Sequence, residues 1–188
     1  IASNFDVIMV TGTNGKTTTT RIIEEVLKNN NVDYITNKSG ANLLSGITTI
    51  FIQAVTLTGR PRHQVALIES DEAAFNQVTK HLQPKAVVVT NFFRDQLDRY
   101  GELYSTLNAV KSGLERIDDS TTLILNADDS MCASLGRNTQ KKVFYYGISP
   151  DTDTCRSSGN GPGGSQINTD AIFCINCKSK YQYTNHIY

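Results

Sequence analysis

The chain has 188 residues, enough for one domain that buries a real core without disulfide staples. Lysine plus arginine and aspartate plus glutamate each number 18, so the formal net charge is zero and no basic footprint for nucleic acid or anionic lipid appears. No apolar run is long enough to span a membrane, and four cysteines without a basic leader or secretory signal point to thiols or metal in a reducing cytosol.

In chain order, residues 5–10 lack polar alternation and read as a strand buried on both faces. After a glycine loop, Ile22, Ile23, Val26 and Leu27 form a helical stripe that stops at Asn29-Asn30-Asn31. A second strand is expected at 32–36 and a helix over 41–55, with Leu43, Leu44, Ile47, Ile50, Phe51 and Ala54 at helical spacing. A turn at Thr58-Gly59-Arg60-Pro61 leads to a strand at 65–68, which ends in Glu69-Ser70-Asp71-Glu72. A short helix carrying Phe75, Val78 and Leu82 stops before Pro84. The strand at 86–89 ends in Thr90-Asn91-Phe92-Phe93-Arg94-Asp95, and Leu103, Leu107, Val110, Leu114 and Ile117 mark a long amphipathic helix. A strand at 122–125 ends in Asn126-Ala127-Asp128-Asp129, and after a short helix the last strand is 143–146.

Strands alternating with helices predict an α/β fold, a mostly parallel sheet with helices on both faces. In such sheets ligands bind beyond the carboxyl ends of the strands, where the polar, turn-rich sequence collects here. Past Gly147 the texture changes to a Gly/Ser/Pro-rich stretch at 157–165, followed by Cys174-Ile175-Asn176-Cys177. The expected organisation is a nucleotide-binding domain over 1–150, then a flexible segment and the start of a cysteine-bearing insert over 151–188. Because the chain opens without methionine, one step before a buried strand, it reads as a piece of something longer.

The strongest motif is Thr11-Gly12-Thr13-Asn14-Gly15-Lys16-Thr17-Thr18, between the first strand and the first helix. Gly12, Thr13, Asn14 and Gly15 would cradle phosphate with backbone N–H groups, and the helix directs its positive end at the same place. Lys16 adds a point charge, Thr17 offers a hydroxyl to Mg²⁺, and Thr18 continues the cradle. The P-loop pattern G-x-x-x-x-G-K-[ST] has Val10 where its first glycine belongs.

Glu69 would hold Mg²⁺ from a neighbouring strand end; the alternative is a helix-capping acid, for which Asp71 and Glu72 are better placed. Asn91, Arg94, Asp95, Asp98 and Arg99 form either a solvated ion-pair network or a nucleotide-facing loop in which Asn91 or Asp95 touches the metal or its waters. Asn126, Asp128 and Asp129 either meet the nucleotide or cap the next helix. Cys174 and Cys177 form half of a tetrahedral Zn²⁺ site, with Cys132, Cys155 and His186 the candidates nearby in sequence; a redox pair or idle thiols are the alternatives. His63 and His81 read as structural, and no hydrolase triad is supported.

Four blocks resemble the central ATPase domain of the Mur ligase family: T-G-T-N-G-K-T-T (11–18), the strand-end Glu69, T-N-F-F-R-D-Q-L-D-R-Y-G (90–101) and L-N-A-D-D (125–129). The shortened glycine loop is the family's own form. The E-S-D-E block, D-Q-L-D-R and the cysteine-bearing insert bring the chain closest to the Mur-like subunits of lipid II isoglutaminyl synthase. The resemblance implies ATP and Mg²⁺ as reactants, Lys16 and Glu69 as catalytic groups, and nucleotide contacts from residues 12–18, Asn91, Asn126 and Asp128. It further implies a four-cysteine zinc ribbon beginning at Cys174 and Cys177, and a C-terminal ligase domain that this chain lacks. Gln96 stands where many Mur ligases carry a metal-organising histidine, and Lys111 lies near the place of their carbamylated lysine.

The implied reaction is phosphorylation of the D-glutamate carboxylate of lipid II and amidation by ammonia from a glutaminase partner (GatD-like) in a heterodimer, at the inner face of the membrane. Two alternatives stand: an amino-acid-adding Mur or folylpolyglutamate-type ligase, and a non-catalytic nucleotide-gated binding module.

Overall fold

The computed structural model describes residues 2–37, 40–93 and 102–147, together with Ser179. Among them, strands and helices alternate: β1 (Asp6–Thr11), α1 (Lys16–Asn29), β2 (Tyr34–Thr36), α2 (Leu44–Gln53), β3 (Val65–Glu69), α3 (Glu72–Val78), β4 (Ala86–Val89), α4 (Glu102–Arg116), β5 (Thr122–Asn126), α5 (Ser130–Leu135) and β6 (Lys142–Tyr146). The sheet order is β2-β3-β1-β4-β5-β6, and every pairing is parallel.

This order fixes where the helices go. Parallel crossovers are right-handed, so the direction of travel along the sheet decides which face a helix covers. Only the step from β1 to β2 runs one way; every later step runs the other. The two cores divide accordingly. Val7, Met9, Ala66, Ile68, Val87, Val89, Leu123 and Leu125 pack with residues of α2, α3, α4 and α5. Their alternates Ile8, Val10, Leu67, Val88 and Ile124 meet Ile23 and Leu27 of α1. Helices thus cover both faces unequally.

Several boundaries differ from the sequence reading. Of the apolar stripe on α1, Ile23 and Leu27 pack on the sheet, while Ile22 and Val26 are 61% and 56% exposed. β2 starts at Tyr34 rather than 32, because Asn31 takes a positive φ of 54° and Val32 N–H bonds back to Leu27 O. α2 starts at Leu44 rather than 41, because the preceding strap is held elsewhere: Asn37 Nδ2 donates to Ala41 O, and Asp71 N–H to Asn42 O.

Candidate functional site

The carboxyl ends of β1 and β4 lie side by side, and the chain leaves these two strands in opposite directions. That is the switch point where an open parallel sheet leaves a crevice. The loop of residues 12–15 fills it and is stitched to the end of β4. Thr13 N–H donates to Asn91 O at 2.8 Å, and Phe93 N–H to Thr13 Oγ1 at 3.2 Å. Asn91 also grips Asn14 from both sides, its Oδ1 accepting from Asn14 N–H at 2.9 Å and its Nδ2 donating to Asn14 O at 3.0 Å. Gly12 (φ +123°) runs so close to β4 that a Cβ there would lie 2.3 Å from Thr90 Oγ1. Gly15 (φ +80°) provides no side-chain cap to α1, whose first bond is Thr19 N–H to Gly15 O. The amides of Lys16, Thr17 and Thr18 therefore point out of the helix's first turn, an arrangement that suits an anion.

Side chains converge beside those amides. Thr17 Oγ1 lies 3.1 Å from Glu69 Oε1. Lys16 Nζ donates to Gly12 O at 2.5 Å and Thr13 O at 3.1 Å, and sits 3.4 Å from Glu72 Oε2. Glu69 and Glu72 are both buried. Asn37, at the end of β2, fixes Glu69 through its backbone: Nδ2 donates to Glu69 O at 2.7 Å and Oδ1 accepts from Glu69 N–H at 2.8 Å. Two oxygens bound side by side to an octahedral Mg²⁺ at ~2.1 Å stand roughly 3.0 Å apart, so the Thr17–Glu69 spacing and the all-oxygen donor pair suit that ion.

Further along the edge the acids and amides brace the loops. Asn126 Nδ2 donates to Thr90 O at 2.9 Å, while its Oδ1 accepts from Asp128 N–H at 2.9 Å. Gly147 passes so near Asp128 that a Cβ would lie 2.8 Å from its Oδ1. Asp129 caps α5, accepting from Met131 N–H at 2.8 Å and Cys132 N–H at 3.3 Å, and also takes Phe92 N–H at 2.6 Å. Burial pushes the Asp129 carboxyl up and outweighs these bonds. Tyr146 Oη reaches Val89 O and Thr90 O at 3.4 Å, and burial raises its phenol to about 12.

Asp71 caps α3 through Ala73 N–H, as its sequence position suggests; Glu72 instead turns inward to Lys16. Lys111 does not join the site: it is 61% exposed on α4 and faces Glu115 at 4.0 Å. Cys132 lies fully buried in the main core, where burial pushes its thiol well up. His63 pairs with Asp33, and His81 lines a groove of about 330 Å³ with Leu44, Ile47, Phe51 and Leu82. That groove is apolar and has no convergent cationic groups, so it is not a phosphate site. Arg94, Asp95, Gln96, Asp98, Arg99, Cys155, Cys174, Cys177 and His186 lie outside the described residues, among which no cluster of three or more His, Cys, Asp or Glu forms.

Comparison with known proteins bears on the family and the fold. A profile of the Mur ligase middle domain matches residues 10–180. The chain is 34% identical over 190 residues to the MurT subunit of lipid II isoglutaminyl synthase (glutamine-hydrolyzing) from Streptococcus pneumoniae, an alignment covering all of this chain and 39% of that protein. It is 35% identical to the Staphylococcus aureus (strain COL) MurT, over 95% of this chain and 37% of the relative. The chain thus spans under two fifths of the length of these curated relatives. Among solved structures, MurF from Acinetobacter baumannii superposes with a TM-score of 0.65 at 19% identity, over 77% of this chain and 31% of that one. The Thermotoga maritima MurF ligase, solved in complex with ADP, gives 0.64 at 18% identity, over 77% of this chain and 34% of that one. At these identities the structures speak for the fold.

Proposed function

The chain belongs to the Mur ligase family, in its middle domain, and from that premise we propose that it is the ATP-binding part of a MurT-like subunit of lipid II isoglutaminyl synthase. The observation that carries this reading is the convergence of Lys16, Thr17 and Glu69 over an uncapped helix start at the switch point. The first-turn amides of α1 and the Lys16 ammonium bind and orient the phosphate tail of ATP. Thr17 Oγ1 and Glu69 would hold Mg²⁺, which when bound would supply positive charge to the oxygens of the phosphate whose phosphorus is attacked.

The reaction proposed is amide formation. An oxygen of the D-glutamate carboxylate of lipid II attacks the γ-phosphorus and ADP leaves, giving an acyl phosphate. Ammonia from a glutaminase partner then displaces phosphate, leaving the amide. Lys16 stabilises the charge that builds on the migrating phosphoryl group. The substrate carboxylate would be positioned by parts of the protein beyond this chain, which alone is predicted to be inactive.

The test is Lys16→Ala in the complete subunit, assayed with its glutaminase partner on lipid II. Amidation is expected to fall at least about a hundredfold while the circular dichroism spectrum is retained. Equal amidation by variant and parent would show that the loop is not the catalytic phosphate site.

A further inference from the structure

Lys16 has three N–H donors, and all three are committed within the protein: to Gly12 O, to Thr13 O and to Glu72 Oε2. An ammonium so engaged can bond a phosphate only by giving one partner up. The two carbonyls are main-chain atoms of a loop pinned to β4 by the Thr13–Asn91 and Asn14–Asn91 bonds, so they cannot withdraw without dismantling it. Glu72 is a side chain and its contact, at 3.4 Å, is the longest of the three. It is also the only one that carries charge. With side-chain exposures of 12% and 10%, Lys16 and Glu72 are poorly screened by water, so their attraction is felt and so is any repulsion from an arriving anion.

We propose that Glu72 is a positioning residue that occupies the Lys16 ammonium in the phosphate's place, so that nucleotide phosphate and Glu72 compete for the same cation. This inference rests on the nucleotide reading above. Glu72 holds the lysine over the loop, sparing the protein a buried unpaired charge, and sets nucleotide affinity below what the loop alone would reach. A purely structural role, as a first-turn acid favoured by the dipole of α3, predicts lower stability on removal and no gain in binding.

The sign of the change separates the two. ADP with Mg²⁺ is titrated calorimetrically into the complete subunit and into its Glu72→Gln variant, which keeps the shape and removes the charge. The variant is expected to bind with a Kd about five- to tenfold lower, because one like charge near the anion is gone and the lysine is released. An unchanged or higher Kd would overturn the proposal. Should E72Q fail to fold, E72D withdraws the carboxylate by one methylene, and a smaller drop in Kd is expected; no drop overturns the proposal. If the parent itself takes up no ADP, the nucleotide reading fails, a result distinct from a parent that binds and a variant that binds no tighter.

Discussion

Gly12 carries the tightest constraint in the loop. A methyl group there would collide with Thr90 Oγ1 at 2.3 Å and with the Asn91 backbone at 2.9 Å, at a φ of +123°. Gly15 also has a positive φ, but a Cβ there would meet nothing within 4 Å. Gly12→Ala is therefore expected to cost about 3 kcal/mol or more, and Gly15→Ala about 1 kcal/mol. On thermal melts, at ~2–4 °C per kcal/mol for a chain this size, the first should fall several times further than the second. Equal shifts would mean the loop does not press on β4. Asn37 makes a different kind of prediction. Asn37→Ala leaves the buried Glu69 N–H without its partner and should cost about 2 kcal/mol on denaturant unfolding; a loss under about 0.5 kcal/mol would contradict the clamp. Thr17 could be picked out in sequence from the G-K-[ST] motif, and Glu69 because it ends a strand at the ligand edge. Asn37 and Glu72 could not. Their roles depend on which strand neighbours which, and nothing local in residues 34–37 or 69–72 states that β3 lies between β2 and β1.

At the scale of elements, α5 shows how a capping acid can knit two loops. Asp129 takes Met131 and Cys132 N–H groups from its own helix and Phe92 N–H from the end of β4. Its folded pKa is raised above the ordinary 3.8 because burial penalises the charge more than these bonds reward it. A raised carboxyl contributes stability that is fully present below the unfolded value and lost as pH rises through the folded one. Measured against Asp129→Asn, the parent should thus be at its relative best below about pH 4 and lose ground as pH rises. A margin that grows with pH would contradict this account. The strands and most helices were legible from periodicity, and the capping alternative for Asp129 was in view. The orientation of α1 was not. Ile22, Ile23, Val26 and Leu27 are equally apolar, and only the crossover decides that Ile23 and Leu27 meet Val10, Leu67 and Val88.

Over the whole molecule, one reversal of chain direction does two things. Among the described helices it sends α1 alone to one face of the sheet, and it opens a crevice between β1 and β4 that the glycine loop enters. The parallel α/β class was legible because a run of buried strands separated by helical segments has few other solutions. The strand order was not, since any of several orders satisfies the same alternation. The position of the phosphate loop at the switch point follows from that order, and so does the approach of Glu69 on β3 to Thr17 on α1. The most direct measurement is a crystal structure of the chain with Mg²⁺ and a non-hydrolysable ATP analogue. The account predicts the β- and γ-phosphates over the amides of residues 15–18 within hydrogen-bond reach of Lys16 Nζ, with the metal between Thr17 Oγ1 and Glu69. A nucleotide seated away from this crevice, or a metal that touches neither Thr17 nor Glu69, would contradict it.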